Sequence, residues 1–185
     1  VLPGHNGIFC PIIDYTYGMA IFLQNYTLID KGVRWIYKNL KYIGDDPSHS
    51  RCFQWVVLKL GGKEFGVFNV HGLWNGKGKC DSPERIKQSE FIVNFAASLN
   101  LPVLLCGDFN LMFDTQSVAL LEESYQNLIR DYKIQSTRSH LYAKSERYAD
   151  YIFVPKNLRV CSWYMIPIVS DHLPLLAVVE IRDRI

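Results

Sequence analysis

Pro102-Val103-Leu104-Leu105-Cys106-Gly107-Asp108-Phe109-Asn110 is the stretch on which the reading of this chain turns. An apolar run bounded by turn residues reads as a fully buried strand. Gly107 lets the backbone turn sharply at the C-terminal end of that strand. The chain there delivers a carboxylate and a carboxamide two residues apart. In an extended segment residues i and i+2 point the same way, so Asp108 and Asn110 are expected to address one reacting group together. A group that accepts protons or binds a metal, beside an amide that donates, suits phosphate-ester chemistry. Taken alone, Gly-Asp after a strand is also an ordinary turn, so the rest of the chain has to decide.

Working outward, the flanking segments supply strands and helices in alternation. Gly18–Leu23 reads as a buried strand, and Arg51–Leu60 alternates around Phe53, Trp55 and Val57 as another. Gly61-Gly62 makes a hairpin turn into a strand from Glu64 to Val70, which ends at His71-Gly72. Asp81 or Ser82 caps a helix that has Pro83 in its first turn and Glu84 in a capping box; it ends near Ser98-Leu99-Asn100. This strand–helix–strand order predicts a crossover placing His71 and Asp108 at the same end of a sheet. Asp114 or Thr115 opens a second helix through Ser124. Tyr148–Val154, Val160–Met165 and Leu175–Ile181 read as further strands, the last preceded by the turn Val169-Ser170-Asp171-His172. Strands interleaved with amphipathic helices predict an α/β layered domain.

Composition bounds the function classes. The 185 residues, 49% of them hydrophobic, suffice for a single domain with a substantial core and argue against disorder. Twenty basic against 18 acidic residues leave a net charge of +2. That is too little to mark a nucleic-acid binder by charge. Clusters such as Lys31/Arg34/Lys38/Lys41 and Lys77/Lys79 fit solvated faces. The loop from Trp74 to Lys79, just after His71, suits either a grip on an anionic substrate or a solvated turn. The five cysteines are dispersed and include no Cys-x-x-Cys pair, so a reducing compartment, the cytoplasm, is expected rather than a disulfide framework. No apolar run is long enough to span a bilayer. The chain opens on Val1 rather than Met, and earlier residues are expected upstream.

Four polar sites punctuate otherwise apolar strands: His71, Asp108 with Asn110, Asp150, and Asp171 with His172. Histidines exchange protons near neutral pH. Carboxylates fix histidine tautomers or hold a hard cation through oxygen. Each has a plain alternative: a satisfied structural histidine for His71, a polar turn for Asp171-His172. Asp150, between Ala149 and Tyr151 in an apolar strand, resists one, because a buried carboxylate is costly without a partner. His172 is its natural candidate. No serine or cysteine sits beside a base, and no phosphate-cradling glycine loop is present, which disfavours covalent catalysis and nucleotide hydrolysis of the P-loop kind.

The ordered set Asn69-Val70-His71, Gly107-Asp108-Phe109-Asn110, Asp150-Tyr151-Ile152-Phe153-Val154 and Ser170-Asp171-His172-Leu173-Pro174 resembles the endonuclease/exonuclease/phosphatase superfamily, which includes pancreatic deoxyribonuclease and inositol-polyphosphate 5-phosphatases. The resemblance runs from about Tyr17 to the end of the chain. It implies a deoxyribonuclease I-like four-layer α/β/β/α sandwich of mixed α+β character, with the site at one sheet end. It further implies that Asp108 orients or deprotonates the attacking water and that Asn110 holds the water or a phosphate oxygen. His172 would contact the scissile phosphate or serve as base, oriented by Asp150, and His71 would assist the leaving oxygen. Asp171 and Asp108 would hold Mg²⁺, with Mn²⁺ the alternative ion.

The resemblance departs at the start of the chain. The family opens with a strand carrying an asparagine, then a helix and a strand ending in a metal-binding glutamate. Asp14 and Asp30 lack that setting and Glu64 lies in the wrong strand. The chain is therefore expected to be one domain over residues 1–185, the C-terminal three quarters of the family unit, lacking its first strands and helix. As given, it is expected to be weakly active or inactive and to expose an apolar sheet edge. The function implied is Mg²⁺-dependent hydrolysis of a phosphodiester or phosphomonoester, the substrate being nucleic acid or a small-molecule or lipid-headgroup ester. The alternative is a catalytically impaired binding module of the same fold. Oligomeric state is not legible.

Overall fold

The computed structural model of the chain describes residues 2–13, 16–38, 49–165 and 170–181. Its elements in chain order are β1 (Asn6–Ile13), β2 (Tyr17–Leu23), β3 (Thr27–Tyr37), β4 (Arg51–Leu60), β5 (Lys63–His71), α1 (Pro83–Ser98), β6 (Val103–Asp108), α2 (Gln116–Glu122), β7 (Tyr125–Asn127), α3 (Leu128–Asp131), β8 (Asp150–Pro155), β9 (Arg159–Met165) and β10 (Leu175–Glu180). Six strands form one sheet in the order β3-β4-β5-β6-β8-β7, while β1-β2 and β9-β10 form separate two-stranded ladders.

The crossover through α1 makes β5 and β6 parallel, with His71 opposite Asp108. β8 runs antiparallel beside β6 and sets Asp150 opposite Asp108. Three polar side chains thus fall in one row across adjacent strands at a single sheet end. Strand alternation divides the apolar residues between two faces. On one face Phe53, Phe68, Val70 and Leu105 pack against Ile92 and Ala96 of α1 and Val118 and Leu121 of α2. Each such large side chain contributes about 1.5–3 kcal/mol when fully buried. On the other face Val56, Leu58 and Phe65 meet Leu23 of β2. Gln54 Nε2 and Asn69 Nδ2 donate to the carbonyls of Ile8 and Ala20 at 2.8 and 3.2 Å, tying that ladder to the sheet. The β9-β10 ladder packs through Ala177 and Val179 near Val154. Between the ladders β6 turns Leu104 and Cys106 outward, only half-buried. This is the mixed α+β architecture that the sequence resemblance implies.

Local details correct several expectations. Gly107 is not a turn residue: β6 continues through Asp108. A Cβ at Gly107 would lie 2.2 Å from the Val70 carbonyl oxygen, and its φ of +127° suits glycine alone, so the residue buys close strand approach. The chain leaves the strand at Asn110, which adopts φ +53°. α1 is capped by Ser82, whose hydroxyl accepts from Arg85 N, while Asp81 caps α2 instead. Thr115 is the N-cap of α2, which ends at Glu122. Strands β1 and β3 were not legible. Pro11 interrupts the apolar run of the first, and the charges of Lys31 and Arg34 mask the second, which is the edge of the main sheet. Gly18–Leu23 belongs to a ladder rather than a buried strand, and Phe22 is exposed. Asp14, Lys41 and Val169 lie outside the described residues.

The expected apolar exposure falls on a face as well as an edge. Phe9, Phe22, Leu176 and Val178 are exposed on the ladders' outer sides, which no helix covers among the described residues. Nor is any described helix long and apolar enough to cross a membrane.

Candidate active site

The sheet end is held by close backbone packing. Gly72 N donates to the Asp108 carbonyl at 2.7 Å and Phe109 N to that of Ala149 at 2.7 Å, so the chain just beyond β5, β6 and the residue before β8 are pinned together. A Cβ at Gly72 would sit 2.2 Å from the Phe109 carbonyl oxygen. Asp108 Oδ1 accepts the Asn110 N–H at 2.8 Å. Burial, then the neighbouring Asp150 carboxylate, push the Asp108 carboxyl above the usual range, against the pull of Arg138, His172 and that N–H. It is a carboxylate poised to take a proton.

His172 reaches the row from the other side of the molecule. Its Nδ1 donates to Asp150, with oxygens at 2.8 and 2.9 Å, which fixes the tautomer, and its Nε2 accepts from Arg138 Nη1, so both ring nitrogens are engaged. Residues 137–139 build the scaffold for this meeting. Thr137 Oγ1 accepts from Ala149 N and Asp150 N at 3.1 and 3.2 Å. Leu173 N donates to the Thr137 carbonyl at 3.0 Å and Ser139 N to that of Asp171 at 2.9 Å. Burial and Arg138 disfavour the charged imidazole, yet the hydrogen bond and charge of Asp150 outweigh them and hold His172 above its ordinary pKa. Its Nε2 lies 3.9 Å from Asp108 Oδ2. That is too long for a direct hydrogen bond, and the Arg138 guanidinium links the two groups, with Nη1 on the imidazole and Nη2 3.6 Å from the Asp108 oxygen.

His71 behaves differently from its expected role. Burial, then Arg51, His49 and His172, push its pKa down to about 3. Arg51 Nη1 donates to His71 Nε2, an arrangement that requires a neutral imidazole. Burial and Arg51 thus hold His71 below its ordinary value, whereas Asp150 holds His172 above it. His71 is a fixed neutral group, packed beside Tyr17 and His49 with ring centroids 6.4 and 5.2 Å away.

Asn110 also departs from the extended geometry. Its left-handed backbone breaks the i, i+2 alignment, and its Nδ2 donates to the Gly72 carbonyl at 3.1 Å, so the carboxamide braces the sheet end. Asp171 stands at the exposed rim, 3.2 Å from Arg138 Nη1. The donor atoms that gather within 4.8 Å of one another are those of Asp108, Asp150 and His172, without Asp171. This trio is a group that could hold a metal ion, and within it His172 Nδ1 and both Asp150 oxygens engage each other. The carboxylates that face one cation are Asp108 and Asp171, whose Oδ2 atoms lie 3.6 and 3.2 Å from the two ends of the Arg138 guanidinium.

Sequence reasoning missed Arg138 and Arg51 altogether. Both are almost fully buried, at 6% and 4% exposure, and both stand beside a site histidine. Neither carries a local motif. A buried arginine amid Asp108, Asp171 and His172 becomes visible only once the fold brings residues 138 and 172 into a bridge. Lys79, read as part of a loop with two meanings, is likewise buried at 2% exposure.

The chain matches the family described as "Endonuclease/Exonuclease/phosphatase family" over residues 5–172. Among solved structures it resembles an endonuclease/exonuclease/phosphatase from Bacteroides vulgatus, with TM-score 0.75 and 20% identity over 97% of this chain and 77% of that one. It is similar to the mannosyl-6-phosphatase Bt3783 of Bacteroides thetaiotaomicron, at TM-score 0.74 and 22% identity over 97% and 78% of the two chains. D. rerio TDP2 complexed with a single-strand DNA product aligns at TM-score 0.69 and 14% identity over 96% and 78%. At these identities the structures speak for the fold. No curated protein sequence matches the chain.

Proposed function

Because the chain belongs to the endonuclease/exonuclease/phosphatase family, matched over residues 5–172, we propose that it is a phosphoric ester hydrolase in which a water beside Asp108 and His172 attacks phosphorus. The observation that carries this reading is the approach of Asp108 Oδ2 to within 3.9 Å of His172 Nε2, with Asp150 holding the far side of the imidazole and Arg138 Nη1 on its Nε2. A water at this sheet end meets a proton-seeking carboxylate beside an imidazole of fixed tautomer. Asp108 takes a proton from the attacking water as its oxygen bonds phosphorus. The P–O bond to the ester oxygen breaks, and the departing oxygen takes its proton from solvent. His172, fixed by Asp150, lines the phosphate as charge develops. His71, neutral and braced by Arg51, is a fixed wall of the site. Asn110 serves by bracing Asp108 through its own N–H.

The donor set fits a hydrated divalent cation. The donor atoms of Asp108, Asp150 and His172 lie within 4.8 Å of one another and Asp171 Oδ2 is 3.9 Å from His172 Nε2, and Mg²⁺ is commonly held by one or two carboxylates together with substrate oxygens. Mg²⁺, or Mn²⁺ in its place, would neutralise charge on the phosphate oxygens. The substrate is a phosphate ester, and the similar structures include one named as a phosphatase and one holding DNA.

The test is a panel of phosphomonoesters, duplex and single-stranded DNA, RNA and phospholipid headgroups, with and without Mg²⁺. Asp108→Asn and His172→Ala are expected to lower turnover roughly 10²–10⁴-fold each while the thermal transition persists. Near-normal turnover in a variant removes that residue from the mechanism. Absence of turnover on every ester, with either ion, favours the binding-module alternative.

A further inference from the structure

The two cations that the hydrolytic pair does not use lie together beside it. Lys79 comes from the loop before α1 and Arg138 from the segment after α3, and both face the ring of Tyr142, at 5.0 and 4.5 Å from its centroid. Lysine is almost never buried so deeply unless it is paired. Lys79 Nζ nonetheless makes one hydrogen bond, to the Tyr148 carbonyl at 3.0 Å, and has no ion-pair partner among the described residues. Arg138 Nε is buried with no acceptor, while its Nη atoms reach Asp108 and Asp171 at 3.6 and 3.2 Å and Nη1 also donates to His172 Nε2. The electron-rich face of Tyr142 is a weak anchor for two like charges, worth about 0.5–2 kcal/mol each. Burial and the nearby Arg138 accordingly push the Lys79 ammonium down to about 8. Two buried cations against one tyrosine ring, Lys79 with spare donors and Arg138 with an unpartnered Nε, describe an anion site.

Resting on the phosphate-ester reading above, we propose that Lys79 and Arg138, aligned by Tyr142, form a seat for the non-bridging oxygens of a terminal phosphate, and that the substrate is a phosphomonoester. A terminal phosphate brings a second negative charge and a third non-bridging oxygen that a diester lacks, and these answer the two cations. A diester would have to carry its second arm past groups that are 2% and 6% exposed. Arginine offers such a group a planar fork, and lysine a point charge with three donors. The Trp74–Lys79 loop, which the sequence leaves between an anion grip and a solvated turn, is on this reading the grip, with Lys79 as its working residue.

The experiment is calorimetric titration with inorganic phosphate and with dimethyl phosphate, in EDTA so that the seat is read without metal. Wild-type protein is expected to bind phosphate at least tenfold more tightly than dimethyl phosphate. Arg138→Gln and Lys79→Met are each expected to weaken phosphate at least tenfold, whereas Arg147→Ala, at an exposed position nearby, leaves it unchanged. Arg138→Lys, which keeps the charge and loses the fork, is expected to fall between. A thermal melt accompanies each variant, and if Arg138→Gln does not fold, Lys79→Met and Arg138→Lys decide. Equal binding of the two anions, no phosphate binding by wild type, or variants that bind as wild type overturn the proposal. Turnover separates the two readings. Phosphate binding with the stated pattern but no hydrolysis of any ester sinks the hydrolase and spares the seat. Diester hydrolysis indifferent to Lys79→Met does the reverse.

Discussion

His71 and His172 begin with the same ordinary pKa of about 6.5 and are driven apart by their neighbours. An arginine and burial hold the first neutral, while a carboxylate favours charge on the second. The sign of the His71 shift gives a stability prediction. Its folded pKa, about 3, lies below the unfolded value, so the unfolded chain binds more protons between those limits. The contribution of His71 is fully present above about pH 6.5 and is lost as pH falls toward 3. His71→Asn is therefore expected to flatten the fall in melting temperature between pH 7 and pH 4, by several degrees on the scale of about 2–8 °C per kcal/mol. An unchanged acid slope would mean that His71 is not the buried neutral group described. At this scale the sequence named His172 as the partner of Asp150, and the two do meet, because a carboxylate in an apolar strand must find a cation or a donor. It could not show that Asn110 turns to Gly72, since a single left-handed residue breaks the alternation on which that reading relied. Arg138 was invisible because its partners lie about 30 residues away on either side.

Among the elements, α1 and α2 are joined by one carboxylate. Asp81 precedes α1, yet its oxygens accept from Gln116 N and Ser117 N at 2.7 and 2.9 Å, at the open end of α2. Free N–H groups at a helix start are satisfied by such acceptors. Asp81→Ala is expected to cost about 1 kcal/mol, in the range for lost N-caps, read as a lower urea midpoint with an unchanged slope. A loss confined to α1 would show instead that Asp81 serves its own helix. The residues Asp81 to Glu84 announced a helix start, and α1 runs where its periodicity places it. What they could not announce was a partner 35 positions downstream. The β4–β5 hairpin was legible to within a residue because alternation and Gly61-Gly62 are local signals. β3 was not, because an edge strand carries the charges that make it resemble a surface loop.

Across the whole molecule, stability is unevenly shared. The six-stranded sheet packs one face against two helices around a continuous core, whereas each ladder has two strands, free edges and exposed apolar side chains outside. Isolated two-stranded ladders are marginal, and local opening follows sparse burial. Amide hydrogen exchange is expected to be slowest in β4, β5 and β6 and faster in β1, β2, β9 and β10 by at least tenfold. Uniform protection would show that the ladders are integral to one cooperative unit. The architecture was legible as alternating strands and helices. The split of its second layer into two ladders was not, because it depends on which strands find neighbours.

The scaffold of residues 137–139 carries a consequence for variation. Thr137 fastens the start of a loop to its own end, through Arg147, Ala149 and Asp150, and through Leu173 to the segment bearing His172. The loop is closed at its neck. Residues 143 to 146 at the tip, beyond Tyr142, can then change in length or character without loosening the neck, as in compact surface loops whose ends are close. A library randomised at that tip is expected to leave the spacing of Asp108, Asp150 and His172 unchanged. A single threonine in this way makes the neck independent of the tip.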